Sequence, residues 1–234
     1  MKPLYSPIGL IAGAALVIIV GDTLFYRAKR PAGAARPAEP VTTKVEPAER
    51  MHIRGPVDAP VTVEEFADFE CGPCGRLAGI IKQVQADAGT TLRVIFRHYP
   101  LSIHSNSQLA ALAAEAAGMQ GRFWEMHDLL FSEQSTWSGA TEVQTIFQGY
   151  AQRLELDMNR FIQDSAGADA AARIAADRER ATRRGVSQTP TVFINDWVVP
   201  RYSYSGEGLR SRIDMMEATV TVKPTGSPSA TTTQ

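Results

Sequence analysis

Cysteine is nearly absent from the 234 residues: Cys71 and Cys74 are the only two. That excludes a multi-bridge disulfide scaffold and confines any sulfur chemistry to a single C-x-x-C. Net charge is equally scarce, since 24 Lys and Arg offset 25 Asp and Glu to leave −1. No overall positive field exists to draw in a polyanion, so nucleic acid is excluded as the main partner. The length rules out a large multidomain machine, and 44% hydrophobic with 21% charged residues suits one globular domain plus appendages. Histidine is limited to His52, His98, His104 and His127, with no H-x-x-x-H spacing and no second C-x-x-C. Zinc, the natural rival reading of C-x-x-C, therefore lacks the rest of its ligand set.

What is present first is an apolar run at the N-terminus. No charged residue lies between Pro3 and Gly21, and Ile8–Val20 is almost wholly apolar. Roughly 20 helical residues cross a hydrocarbon core, so residues 1–26 read as an N-terminal transmembrane anchor, with Phe25 and Tyr26 at the interface. The alternative is a cleaved signal peptide ending near Ala32–Ala35; Asp22, Arg27, Lys29 and Arg30 make a poor approach to a cleavage site. The same cations, set against Lys2 alone, place the domain in the cytoplasm if the positive-inside rule is counted literally. Residues 27–50, with Pro31, Pro37, Pro40 and Pro47, read as an extended linker. Residues 219–234, rich in Thr, Ser and Pro, read as a disordered tail.

Residues 51–218 form the expected domain. Val61–Ala67 and Thr91–Arg97 have strand composition. Between them Leu77, Ile80, Ile81 and Val84 recur at helical spacing, so strand, helix and strand make a βαβ unit with a parallel pair. A helical stretch follows from about 105 to 184, in which Val143, Ile146, Phe147, Tyr150, Ala151 and Leu154 form a core stripe. Thr191–Asn195 and Trp197–Val199 read as a hairpin turning near Asn195-Asp196, and Gly206–Met216 as a closing helix. The fold class is α/β: a thioredoxin-like plan with a helical insertion between its βαβ and ββα halves. Trp137, in the polar stretch Gln134–Ser138, is expected in an exposed loop.

Cys71-Gly-Pro-Cys74 falls where the first strand gives way to the helix. A thiol there faces the unpaired N–H groups and positive end of the helix, which favours the nucleophilic thiolate at Cys71. Pro73 fits the first turn, where its missing N–H costs little. Cys71 is the candidate nucleophile and Cys74 the resolving thiol, with a static structural bridge as the bland alternative. Glu65, six residues earlier, can pass a proton to or from Cys74 if it points inward; strand alternation equally allows Glu64 inward and Glu65 in solvent.

The chain resembles DsbA-like thioredoxin-fold thiol–disulfide oxidoreductases, in the thioredoxin-like type 4 branch of membrane-anchored or secreted bacterial proteins. The resemblance rests on four ordered motifs: Glu65–Cys74, Phe96–Leu101 followed by His104, Gly121–Phe131, and Gly185–Asn195. It implies that Cys71 attacks, that Cys74 resolves, that Glu65 is a buried acid, and that Thr189-Pro190 is a cis-proline loop facing the disulfide. Thr189 and Pro190 are thus the candidate substrate-binding residues, the Thr189 backbone pairing with an extended segment. His98, His104 and His127 are read as structural. Gly72-Pro73 is the pair found in thioredoxin, whereas oxidising relatives often carry Pro-His, Pro-Tyr or Pro-Ser, so the direction of electron flow stays open. No bound cofactor or metal is expected. The expected partners are unfolded or partly folded cysteine-containing proteins, a membrane redox partner, and the membrane itself, with an extracytoplasmic, monomeric domain. The competing function is a peptide-binding or chaperone module with a static bridge.

Overall fold

The computed structural model describes residues 52–221. The expected anchor, the linker and the tail beyond Thr221 lie outside the described residues. Among the described residues no helix is long and apolar enough to cross a membrane.

The element order is β1 (Ile53–Arg54), β2 (Val61–Ala67), α1 (Gly72–Ala88), β3 (Leu92–His98), α2 (Ser107–Gly118), α3 (Phe123–Ser132), α4 (Gln134–Trp137), α5 (Val143–Arg153), α6 (Met158–Ser165), α7 (Ala168–Arg183), β4 (Thr191–Ile194), β5 (Trp197–Val198), a 3-10 turn (Arg201–Ser203) and α8 (Gly206–Thr221). The βαβ and ββα halves flank a helical insertion, as expected. The closing helix runs to Thr221, three residues into the stretch read as tail. The five-stranded sheet has the order β1-β3-β2-β4-β5. β2 and β3 run parallel, with Glu65 opposite Phe96, and β4 joins β2 antiparallel, with Val192 opposite Glu65. β1, only two residues long, was not legible as a strand; it pairs antiparallel with β3 at the edge.

Alternation along β2 sends Val61, Val63, Glu65 and Ala67 to one face and Glu64 and Phe66 to the other. On the first face Leu77, Ile81 and Val84 of α1 and Leu209 and Ile213 of α8 pack against Val61, Val63, Leu92, Val94, Val192 and Ile194. On the second face α7 brings Ala181 to Phe66 and Phe193. A sheet covered on both sides offers no wet face. Both acids are consequently 2% exposed, and the expectation that one of them points to solvent is corrected.

Glu64 is neutralised where it lies. Arg97 Nε donates to it at 2.9 Å and Arg180 Nε at 2.5 Å; Arg97 also reaches Asp177 of α7 at 3.0 Å. Burial alone would push the Glu64 carboxyl up, but these guanidinium groups outweigh it and hold it low. The network ties α7 to the sheet, and breaking one partner would strand a buried charge.

Trp137 is the second correction. It is fully buried, its indole N–H donates to Leu130 O at 2.8 Å, and its ring packs edge-on against Phe147 at 5.2 Å. The polar neighbours that made the segment read as a loop form a single helical turn whose one large apolar side chain turns inward. Replacing Trp137 with Ala should cost about 3–5 kcal/mol, seen as a lowered urea midpoint with an unchanged slope.

Candidate functional site

Cys71 is the N-cap of α1, with extended backbone (φ −77, ψ 114), and its carbonyl accepts from Cys74 N at 3.0 Å and Gly75 N at 3.2 Å. Pro73 stands in the first turn without a lost hydrogen bond. Both cysteines are free thiols: Cys71 is 6% exposed and Cys74 completely buried. Across from them the Thr189-Pro190 bond is cis, and Cys71 Sγ lies 3.9 Å from Thr189 O. The structure therefore brings Cys71, Cys74, Thr189 and Pro190 together, with Glu65 beneath.

The two thiols are driven apart electrostatically. Hydrogen bonding from Cys74 is the main force pulling Cys71 down, to about 6; burial opposes it, Thr189 adds to it, and the Asp68 charge works against it. The Thr189 hydroxyl is buried without another partner and is free to donate to a thiolate. Cys74 is pushed far up, first by burial and then by Cys71 and Glu65. Glu65 is raised to about 8, chiefly by burial and also by the Cys71 charge. One thiolate near neutral pH, one retained proton, and one neutral acid below them make an arrangement that can supply a nucleophile, a resolving thiol and, once the acid has released its own proton, a proton acceptor.

The insertion holds this constellation in place through residues the sequence reading did not single out. Gln134 of α4 donates to Phe69 O at 2.5 Å and to Cys71 O at 3.1 Å. Glu70 accepts from Asn106 N at 2.6 Å and Gly139 N at 3.0 Å. Asp68, 1% exposed, accepts from Glu70 N at 2.8 Å, Leu101 N at 2.8 Å and His104 Nδ1 at 2.7 Å. The signal was in plain sight: two acids set inside the apolar Phe66-Ala-Asp-Phe-Glu-Cys71 need buried partners.

The histidines are held by carboxylates. His52 Nε2 lies 2.6 Å from Glu115 Oε1, and His98 Nε2 lies 2.9 Å from the same oxygen without forming a hydrogen bond. Burial would raise the Glu115 carboxyl, but the two imidazoles overcome it and keep it well below the usual range. His52, His98 and Asp177 are close enough to share a cation. The Asp177 oxygens already accept from Arg97 Nη1 and His98 N, while His52 Nδ1 and His98 Nε2 have no hydrogen-bond partner.

The acid and the thiolate pull stability in opposite directions with pH. Glu65, raised from 4.5 to about 8, keeps a proton in the folded state that the unfolded chain releases; its contribution is full below 4.5 and is lost as pH climbs to about 8. Cys71, lowered from 9.0 to about 6, does the reverse between 6 and 9. In the reduced protein, Glu65→Gln should therefore gain stability relative to wild type as pH rises from 5 to 8, by up to about 1.4 kcal/mol per pH unit, measured by urea denaturation. Iodoacetamide should label Cys71 with a midpoint near pH 6 and leave Cys74 untouched.

A family model described as Thioredoxin matches residues 48–215. Among solved structures the chain resembles a thioredoxin-like oxidoreductase from Silicibacter pomeroyi DSS-3, at 25% identity and a TM-score of 0.63, over 74% of this chain and 94% of that one. BdbD from Bacillus subtilis, in its oxidised form, matches at 23% identity and a TM-score of 0.63, over 70% of this chain and 91% of that one. A curated relative, the Na(+)/H(+) antiporter NhaA 1 of Salinispora arenicola, is 47% identical over 148 residues, which are 63% of this chain and 22% of that protein. An NhaA 3 antiporter of Salinispora tropica is 44% identical over 170 residues, 72% of this chain and 25% of that protein. The chain thus spans only a minor part of the length of these curated relatives. With the family model covering the strands, the cysteine pair and the insertion alike, the chain belongs to the thioredoxin family, among proteins with the DsbA-like thiol–disulfide oxidoreductase fold.

Proposed function

We propose that the protein is a thiol–disulfide oxidoreductase acting on cysteine-containing protein substrates outside the cytoplasm. The observation that carries this reading is the split between the two thiols: Cys71 lowered to about 6 at the helix N-cap, Cys74 buried and raised behind it. The Cys71 thiolate attacks one sulfur of a substrate disulfide, that bond breaks, and a substrate thiolate leaves. Cys74 then gives up its proton and attacks the Cys71 sulfur, which releases the second substrate thiolate and leaves a Cys71–Cys74 disulfide. Run backwards, the same steps donate a disulfide. Two electrons move between dithiol and disulfide, so the chemistry calls for no bound cofactor.

The substrate lies extended beside Cys71 and pairs with the backbone of Thr189, in the manner of an added strand. Residues 1–26 tether the domain to a membrane, and a membrane redox partner resets the cysteine pair. The domain works as a monomer on unfolded or partly folded chains. A reporter fused after Gln234 should be active only outside the cytoplasm; cytoplasmic activity alone would reverse the orientation.

The strength of the thiolate bounds the potential and leaves the direction of flow to measurement. A Cys71 midpoint near 6 falls between thioredoxin, about 7, and DsbA, about 3.5. The equilibrium potential of the full chain, titrated against glutathione with thiol trapping, should accordingly fall between about −270 and −120 mV. Cys71→Ser should abolish turnover of a disulfide peptide, and Cys74→Ser should accumulate a mixed disulfide on Cys71. Full activity of Cys71→Ser in suppressing aggregation, with no exchange by wild type, would establish the chaperone reading instead.

A further inference from the structure

Glu65 has no partner for one of its oxygens. Its Oε1 is buried and makes no hydrogen bond, and the same is true of Trp124 Nε1 on α3. Such orphans are rare in interiors and point to something that joins them. The two residues line one small cavity, together with His127, Arg54, Ala78, Ile81, Lys82, Gln85 and Val94. A water centre fits over about 10 Å³ of it, about the space of one molecule.

The third polar wall is His127, one helical turn after Trp124, with ring centroids 4.9 Å apart. Its Nδ1 lies 2.9 Å from Asp128 Oδ1. Asp128 is kept ionised despite its partial burial by His127, Lys82 and Arg54, so Nδ1 carries the imidazole proton and Nε2 is an acceptor. Burial pushes His127 down to about 4, which leaves it neutral around pH 7. Arg54 and Lys82 are held by Asp128 and Gln85 is half-buried at the side, so the other polar groups of the cavity are one donor, the indole N–H, and two acceptors, the carboxyl and the imidazole. That is the complement of a water molecule, which accepts once and donates twice.

We propose that this cavity is a water site bridging Glu65 Oε1, Trp124 Nε1 and His127 Nε2, and that Trp124 and His127 are positioning residues for the proton that Glu65 exchanges when Cys74 reacts. The inference rests on the thiol–disulfide reading above. Glu65, which starts protonated, first gives its proton to the bridging water, and that proton leaves for solvent past Gln85 and Lys82, whose side chain is 60% exposed. The carboxylate so formed takes the Cys74 proton as the Cys74 sulfur bonds to Cys71 and the substrate sulfur leaves with its electron pair. The reverse reaction draws a proton in by the same route. The charged and titratable groups around this path are Cys71, Cys74 and Lys82 on α1, Arg54 on β1, His98 on β3, His127 and Asp128 on α3, and Tyr204 beyond β5. The helical insertion, through α3, is therefore part of the proton chemistry as well as a cover.

The test uses the full chain and its Trp124→Phe and His127→Phe variants, with Glu65→Gln to identify the carboxyl signal. Infrared difference spectra of the reduced protein report the Glu65 midpoint, and stopped-flow reaction with a disulfide peptide reports resolution by Cys74 between pH 5 and 9. Losing the bridge removes a hydrogen bond to the charged carboxylate, so each variant should raise the Glu65 midpoint by about one pH unit and slow resolution about tenfold. The pH profile of Cys71 alkylation should not move, and His127→Gln, which restores an acceptor, should recover the rate. Wild-type values of both midpoint and resolution in the Phe variants would overturn the proposal. So would an equal shift in Cys71 alkylation, which would mark a packing effect. Should His127→Phe fail to fold, Trp124→Phe decides alone. Should wild type show no exchange, the oxidoreductase reading fails, and the Glu65 midpoint still decides the water site.

Discussion

Enclosing the sheet on both faces is the constraint from which the rest of the site follows. Two adjacent glutamates on a central strand are forced out of water on opposite sides, and each must be dealt with by whatever packs over it. On the α7 side the solution is charge: three guanidinium groups, from Arg97, Arg180 and Arg184, surround Glu64. On the α1 side no cation among the described residues forms an ion pair with Glu65, so the group gives up its charge and holds its proton to about pH 8. The same strand thus carries a permanently ionised acid that ties layers together and a protonated one that lies next to the cysteines. Their different fates are set by the elements above them and by nothing in the residues themselves.

Much of this was legible in the sequence, and what was not had a common cause. The strands, the α1 stripe and the hairpin at Asn195-Asp196 were readable because each is a local pattern: alternation, helical spacing, a turn dipeptide. Cys71 and Cys74 were readable because a C-x-x-C at a strand–helix junction is itself local. Glu64 and Glu65 could not be assigned a face, since that depends on whether α7, more than a hundred residues later, covers the second side of the sheet. Trp137 was misread for a similar reason. Its polar neighbours describe a loop, and only the packing of α3 and α5 makes an apolar socket for the indole. β1 is two residues long, too short to show alternation, and exists because β3 offers it an edge.

The insertion acts on the site through main-chain groups as well as by covering it. Gln134 reaches the carbonyls of Phe69 and Cys71, while Glu70 and Asp68 take hold of backbone N–H groups from the loops that enter α2 and leave α4. These contacts fix the turn before Cys71 from three directions, and a nucleophile on a turn is only as well placed as the turn. The C-x-x-C of the plain βαβ unit is in this way anchored to a second body of structure. The polar residues responsible sit within motifs that otherwise look like spacers.

The opposed ionisations of Cys71 and Glu65 also determine how many protons accompany each pair of electrons. In the dithiol form near neutral pH, Cys71 has already lost its proton, while Cys74 and Glu65 keep theirs. Closing the disulfide removes the Cys71 charge that helps hold Glu65 neutral, so part of the Glu65 proton departs with that of Cys74. The couple then exchanges between one and two protons per two electrons. In the proposed exchange its Nernst slope would lie between about 30 and 59 mV per pH unit, so on acidification its potential climbs by less than that of an ordinary dithiol that takes up two protons.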